Sequence, residues 1–131
     1  MTLHPAVVVH GLENAEAALA VGRPVTLLSA PGAALYAGCL WWREMIACAR
    51  AAHPDVPVID VLDCADAPGR ALAAIRAGQQ TLILAPTIPA FPAVAAIAAA
   101  RGLVLLAERP PALDLAEPGA SRRLAAWLAS A

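Results

Sequence analysis

The stretch VIDVLDCADAPGRALAAIRAGQQTLIL, residues 58–84, decides the fold. Val58–Leu62 is a short β-branched apolar run, and Thr81–Leu84 is another. Between them lies the alanine-rich, helical Ala67–Ala77, with Asp66 placed to cap its start, Pro68 in its first turn and Gly78 just past its end. Strand, helix and strand in that order form a βαβ unit, with parallel strands and a right-handed crossover. Strands covered on both faces read as continuous apolar runs rather than alternating ones, as these two do.

The same alternation extends to both sides. Further strands are expected at Ala6–Val9, Val25–Leu28 and Leu103–Leu106, and further helices at Asn14–Val21, Ala33–Ala52, Ala90–Ala100 and Ser121–Ser130. Gly22 and Gly102 follow helices where a left-handed residue is wanted, and Ser121 can cap the last helix. The proline-bearing stretch 109–119 reads as an extended connector. The expected fold is one α/β domain over residues 1–131: a three-layer α/β/α sandwich with a mostly parallel sheet of about five strands, flavodoxin- or Rossmann-like. A sequential strand order would resemble part of a (βα) barrel, but five strands cannot close a barrel without a partner.

Composition removes several classes of function. Of 131 residues, 60% are hydrophobic and 15% charged, which excludes intrinsic disorder. A net charge of −1 gives no electrostatic reason to expect nucleic acid or an anionic membrane surface as partner. All nine basic residues are arginines, so no lysine exists to form a Schiff base, anchor PLP or serve a Walker phosphate loop. Cys39, Cys48 and Cys64 match neither a zinc site nor a disulfide framework. With no basic start of the kind a signal peptide has, they point to a reducing, cytoplasmic setting. The uncharged stretches 24–42 and 77–100 are interrupted by Pro31 and Gly32, and by Pro86, Pro89 and Pro92, which argues against membrane spans.

Ligands of open α/β sheets bind beyond the carboxyl ends of the strands. That edge receives His10-Gly11, Ser29 through Gly32, Asp63 through Asp66, Thr87, and Glu108-Arg109. His10, Ser29, Gly32, Asp63 and Thr87 are the candidate ligand-binding residues. Ser29 and the backbone around Gly32 would hold a negative group at a helix start, and Asp63 would accept from a hydroxyl or amine. Asp60 sits inside an apolar strand and is expected to pair with an arginine such as Arg70. Cys64 reads as a buried structural thiol. No metal site is expected, and the sequence names no cofactor.

Pro24–Gly78 is similar to a small group of short bacterial proteins with no assigned activity. The similarity is carried by Val25 through Gly32, Leu35-Tyr36-Ala37-Gly38, Trp41-Trp42, Val61-Leu62-Asp63-Cys64 and Asp66 through Gly69. It implies a stand-alone α/β protein and supplies no substrate or catalytic residue. The functional expectation is therefore binding of a small polar or anionic metabolite at the carboxyl edge. The alternatives are a structural or regulatory homo-oligomer without ligand, or a small enzyme using Asp63 or His10. A homodimer through the Trp41/Trp42 helix is expected, since Trp41 widens that helix's apolar face beyond its core stripe.

Overall fold

Six strands and six helices make up the computed structural model, which describes residues 2–130. The strands are β1 (Ala6–Val8), β2 (Val25–Leu28), β3 (Val58–Asp63), β4 (Thr81–Ile83), β5 (Val104–Leu106) and β6 (Ala112–Asp114). The helices are α1 (Leu12–Ala20), α2 (Ala33–Tyr36), α3 (Cys39–Ala52), α4 (Pro68–Arg76), α5 (Phe91–Ala100) and α6 (Ala120–Leu128). All strand pairs are parallel, in the order β5-β4-β3-β2-β1-β6. The α/β class with a parallel sheet is as expected. The sheet has six strands rather than about five, and helices pack on one of its faces instead of on both as a three-layer sandwich would have them. The sheet is sequential from β1 to β5, and its order reverses beside β1, where β6 joins.

Three local expectations need correction. The helix expected over Ala33–Ala52 is broken at Gly38, whose φ of 87° and ψ of 156° no helix can accommodate. The connector 109–119 contains β6, too short to show a run of its own. Neither Asp66 nor Ser121 caps a helix: Ala67 and Gly119 occupy those positions, and Ser121 lies within α6. Gly22, Gly78 and Gly102 do take positive φ past helix ends.

Side chains alternate across the sheet. Val7, Leu27, Leu62, Leu82 and Leu113 share one apolar cluster with residues from all six helices. Val8, Leu28, Val61 and Ile83 form a second cluster on the other face, joined by Ile59, Leu106 and Ala112. The chain between Leu106 and Ala112 must run from the carboxyl end of one edge strand to the amino end of the other. Six residue steps reach at most about 21 Å. Five strand spacings in a flat sheet need about 24 Å. The sheet is therefore curled, with the helices outside and residues 107–111 crossing the concave face as a strap.

The helical side contains one buried carboxylate. Asp60 is 8% exposed. It accepts from Trp42 Nε1 at 3.0 Å, Gln79 Nε2 at 2.8 Å, Arg50 at 3.0 Å and Arg43 at 3.3 Å. The partners thus come from α3 and from the turn after α4, and Arg70 is not among them. Removing one side of a buried pair orphans the other. Asp60→Ala should therefore cost about 3–5 kcal/mol in urea unfolding, whereas the more exposed Arg50→Ala should cost about 1 kcal/mol or less.

Candidate functional site

Parallel register brings the strand ends level, so the residues that follow β1, β2, β3 and β6 gather along one edge. Ser29 is fully buried there. Its Oγ accepts from the Asp63 backbone N–H at 3.0 Å and its hydroxyl donates to Ala30 O at 3.0 Å. The Asp63 carboxylate accepts from Ala65 N–H at 2.8 Å and from Arg109 Nη1 at 2.7 Å. Arg109 Nη2 also donates to Ser29 O at 3.0 Å. The strap is pinned to the ends of β2 and β3 by these contacts, and Asp63 is 6% exposed at its side chain. Two expected ligand groups, Ser29 and Asp63, thus face each other, with their polar atoms engaged by protein.

Gly32 adopts φ 67° in the turn before α2. That helix is a single turn, and Ala33 N–H, the first of its donors, bonds to Ala30 O. Ala65 has φ 50°, a left-handed value that costs a non-glycine residue of order 1 kcal/mol or more. Asp63 Oδ1 on its N–H and Ala85 N–H on its carbonyl hold it there. Thr87 is exposed in the turn after β4.

His10 lies at the other end of this edge, after β1. Its Nε2 is 2.7 Å from Asp114 Oδ1, and the two side chains are 37% and 32% exposed. The His10 backbone N–H donates to Asn14 Oδ1 at 3.0 Å, which fixes the turn into α1. Burial pushes the Asp114 carboxyl up, but the Ala116 N–H, the hydrogen bond and charge of His10, and the charge of Arg109 together hold it below the usual value. Arg109 is thus bonded to Asp63, and its charge also contributes to lowering the Asp114 carboxyl. Asp114 escaped the sequence reading because β6 did. Arg109 was placed at the edge by its position after β5, but nothing in the sequence indicated that it would fold back over β2 and β3.

Cys64 is fully buried, and its thiol is pushed up to about 12, first by burial and then by the charges of Asp63 and Cys39. A thiol held that high supplies no thiolate near neutral pH, so the structural reading stands. Among the described residues no group of three His, Cys, Asp or Glu side chains could hold a metal ion, and no helix is long and apolar enough to cross a membrane. Two hollows lie away from the carboxyl edge. One of about 620 Å³ is lined by His4, Arg23, Pro110, Pro111 and Trp127 at the amino ends of the strands. Another of about 540 Å³ lies against β6 and α6.

No family model matches the chain. It is 34% identical over 84 residues to a fructose-bisphosphate aldolase, plasmid-encoded, of Cupriavidus necator; the match covers 61% of this chain and 24% of that protein. The chain thus spans about a quarter of the length of the relative it matches.

The depressed Asp114 carboxyl predicts a pH signature. Its contribution to stability is fully present above the ordinary aspartate value of about 3.9 and is lost as pH falls through its lower folded value. In thermal melts, the stability gap between wild type and Asp114→Asn should close progressively as pH falls below about 4.

Proposed function

We propose that the chain binds a small anionic, hydroxyl-bearing metabolite at the carboxyl edge of the sheet, on the side where β6 meets β1. The observation that carries this is the partly exposed His10–Asp114 pair on the same edge as the Arg109–Asp63 pair. Three segments far apart in sequence deliver a cation, a carboxylate and an imidazole to one place. Arg109 has guanidinium donors beyond those given to Asp63 and Ser29, and its side chain is 27% exposed. It would face the ligand's negative group, His10 and Asp114 would take hydroxyls, and the turn at Gly32 would border the site, whereas Thr87, after β4, lies three strands from β1 and outside it.

This differs from a pocket centred on Ser29 and Asp63, whose polar atoms already bind one another and the strap. It keeps the tension between an anion and two nearby carboxylates within bounds, because Arg109 neutralises Asp63 directly. The similarity to a fructose-bisphosphate aldolase makes phosphorylated sugars the first probes to try.

A thermal-shift screen of sugar phosphates, nucleotides and amino acids tests the reading. A compound at 100 times its dissociation constant adds about 2.7 kcal/mol, a rise on the order of 10 °C for a domain of this size. Hits should weaken in His10→Ala and Arg109→Gln and persist in Glu16→Gln on α1. A screen without hits, or hits indifferent to both edge substitutions, would sink it.

A second reading, self-association without ligand, is favoured by one surface. Trp42 is fully buried against Asp60, but Trp41, Leu35, Tyr36 and Leu40 are 37%, 41%, 70% and 72% exposed, one apolar patch across α2 and the start of α3. Trp41→Asp should then lower the mass seen by light scattering without changing the melting temperature of the monomer.

A further inference from the structure

The far edge of the sheet presents a different surface, formed by β5 and α5. Helix α5, FPAVAAIAAA, has no polar side chain, yet only Val94 and Ala98 are buried. Pro92, Ala93, Ala96, Ala99 and Ala100 are exposed, and Ile97 is 37% exposed. A helix apolar all round belongs inside a structure. Beside it runs β5, whose three residues are half-buried and all apolar.

Backbone hydrogen bonding at this edge is incomplete. Val104 N–H donates to Gln80 O, and Leu106 O accepts from Leu84 N–H. Alternate residues of a parallel strand turn their groups to the same side, so 104 and 106 serve β4 while Leu105 directs its N–H and C=O away from the sheet. An apolar edge strand with free pairing groups is a template for another strand.

We infer that this edge is covered by the same edge of a second copy, in antiparallel pairing about a two-fold axis perpendicular to the sheet. Leu105 and its counterpart then lie on the axis and exchange both hydrogen bonds. The two sheets become one, and α5 packs beside its symmetry mate on the same face, where its alanines permit close approach. The strand alone is too short to hold a dimer, and α5 supplies the apolar area.

Charge selects this occupant and this direction. The uncharged stretch is flanked by Arg101 before β5 and Glu108 after it, both exposed and in no ion pair among the described residues. Antiparallel pairing centred on Leu105 sets Arg101 of each copy opposite Arg109 of the other, whose guanidinium is engaged by Asp63 and Ser29 O. It leaves Glu108, one residue earlier, as the unpaired charge beside Arg101, twice over. Parallel pairing would set like charge against like. A surface whose two ends complement each other under a two-fold suits itself.

Sedimentation equilibrium over a concentration series, with circular dichroism to confirm folding, tests the inference on the whole chain. Wild type should self-associate. Ile97→Glu, on the exposed side of α5, and Leu105→Pro, which removes an N–H that β4 does not use, should each abolish that step. Arg101→Glu should weaken it about tenfold through two like-charge contacts, and Arg101→Glu with Glu108→Arg should restore it. Trp41→Asp should leave it in place, which separates it from association through the α2–α3 patch. A wild type that stays monomeric overturns the inference. So does a mass that Ile97→Glu does not lower, or an association lost only in Trp41→Asp. Should Leu105→Pro fail to fold, Ile97→Glu and the charge swap decide alone.

Discussion

A carboxylate removed from water costs several kcal/mol unless donors replace the lost hydration. Asp60 meets that requirement with an indole, an amide and two guanidiniums. The geometry leaves little freedom. Trp42, Arg43 and Arg50 fix the rotation of α3 over β3, and Gln79, bonding to Asp60 and to Thr81 O, fixes where the chain turns from α4 into β4. Apolar packing between alanine-rich helices and a valine- and leucine-rich sheet is nearly indifferent to small slides, because its side chains are small and similar. The buried charge has few acceptable partners, and so it specifies one register where hydrophobic contact alone would permit several.

Position in the sheet connects this interaction to the candidate site. Asp60 and Asp63 lie on opposite faces of β3 because their positions differ by three, an odd number. The first ties the sheet to the helix layer, and the second ties it to the strap through Arg109. Both covers are thus attached to the same central strand. The strap in turn delivers β6 to the side of β1, which places Asp114 against His10. The arrangement at the carboxyl edge depends on the strap's path as much as on the strands that end there.

The class of fold was legible because its signals are local: apolar runs of strand length, alanine-rich helices between them, and glycines where positive φ follows a helix. The edge positions of His10, Ser29, Asp63 and Thr87 followed from the same rule. What was not legible is long-range. Arg43 and Arg50 lie on the polar side of α3, and only the fold shows that their length lets them reach round to Asp60. Asp114 belongs to a strand of three residues whose existence depends on pairing with β1, so no periodicity announces it. Gly38 breaks a helix that composition alone would continue.

The strap also sets an order of events during synthesis. Strand β1 leaves the ribosome long before its second neighbour, β6, which lies more than a hundred residues later. Until that neighbour arrives, Ala6–Val8 is an exposed apolar edge, and the concave cluster around Val8 and Leu28 has no cover. Contacts of such long sequence separation form late, and partly assembled sheets with open edges are prone to aggregate. The nascent chain is therefore most vulnerable once β5 has emerged and residues 107–114 have not, when five strands are complete and the segment that would protect them is still in the tunnel.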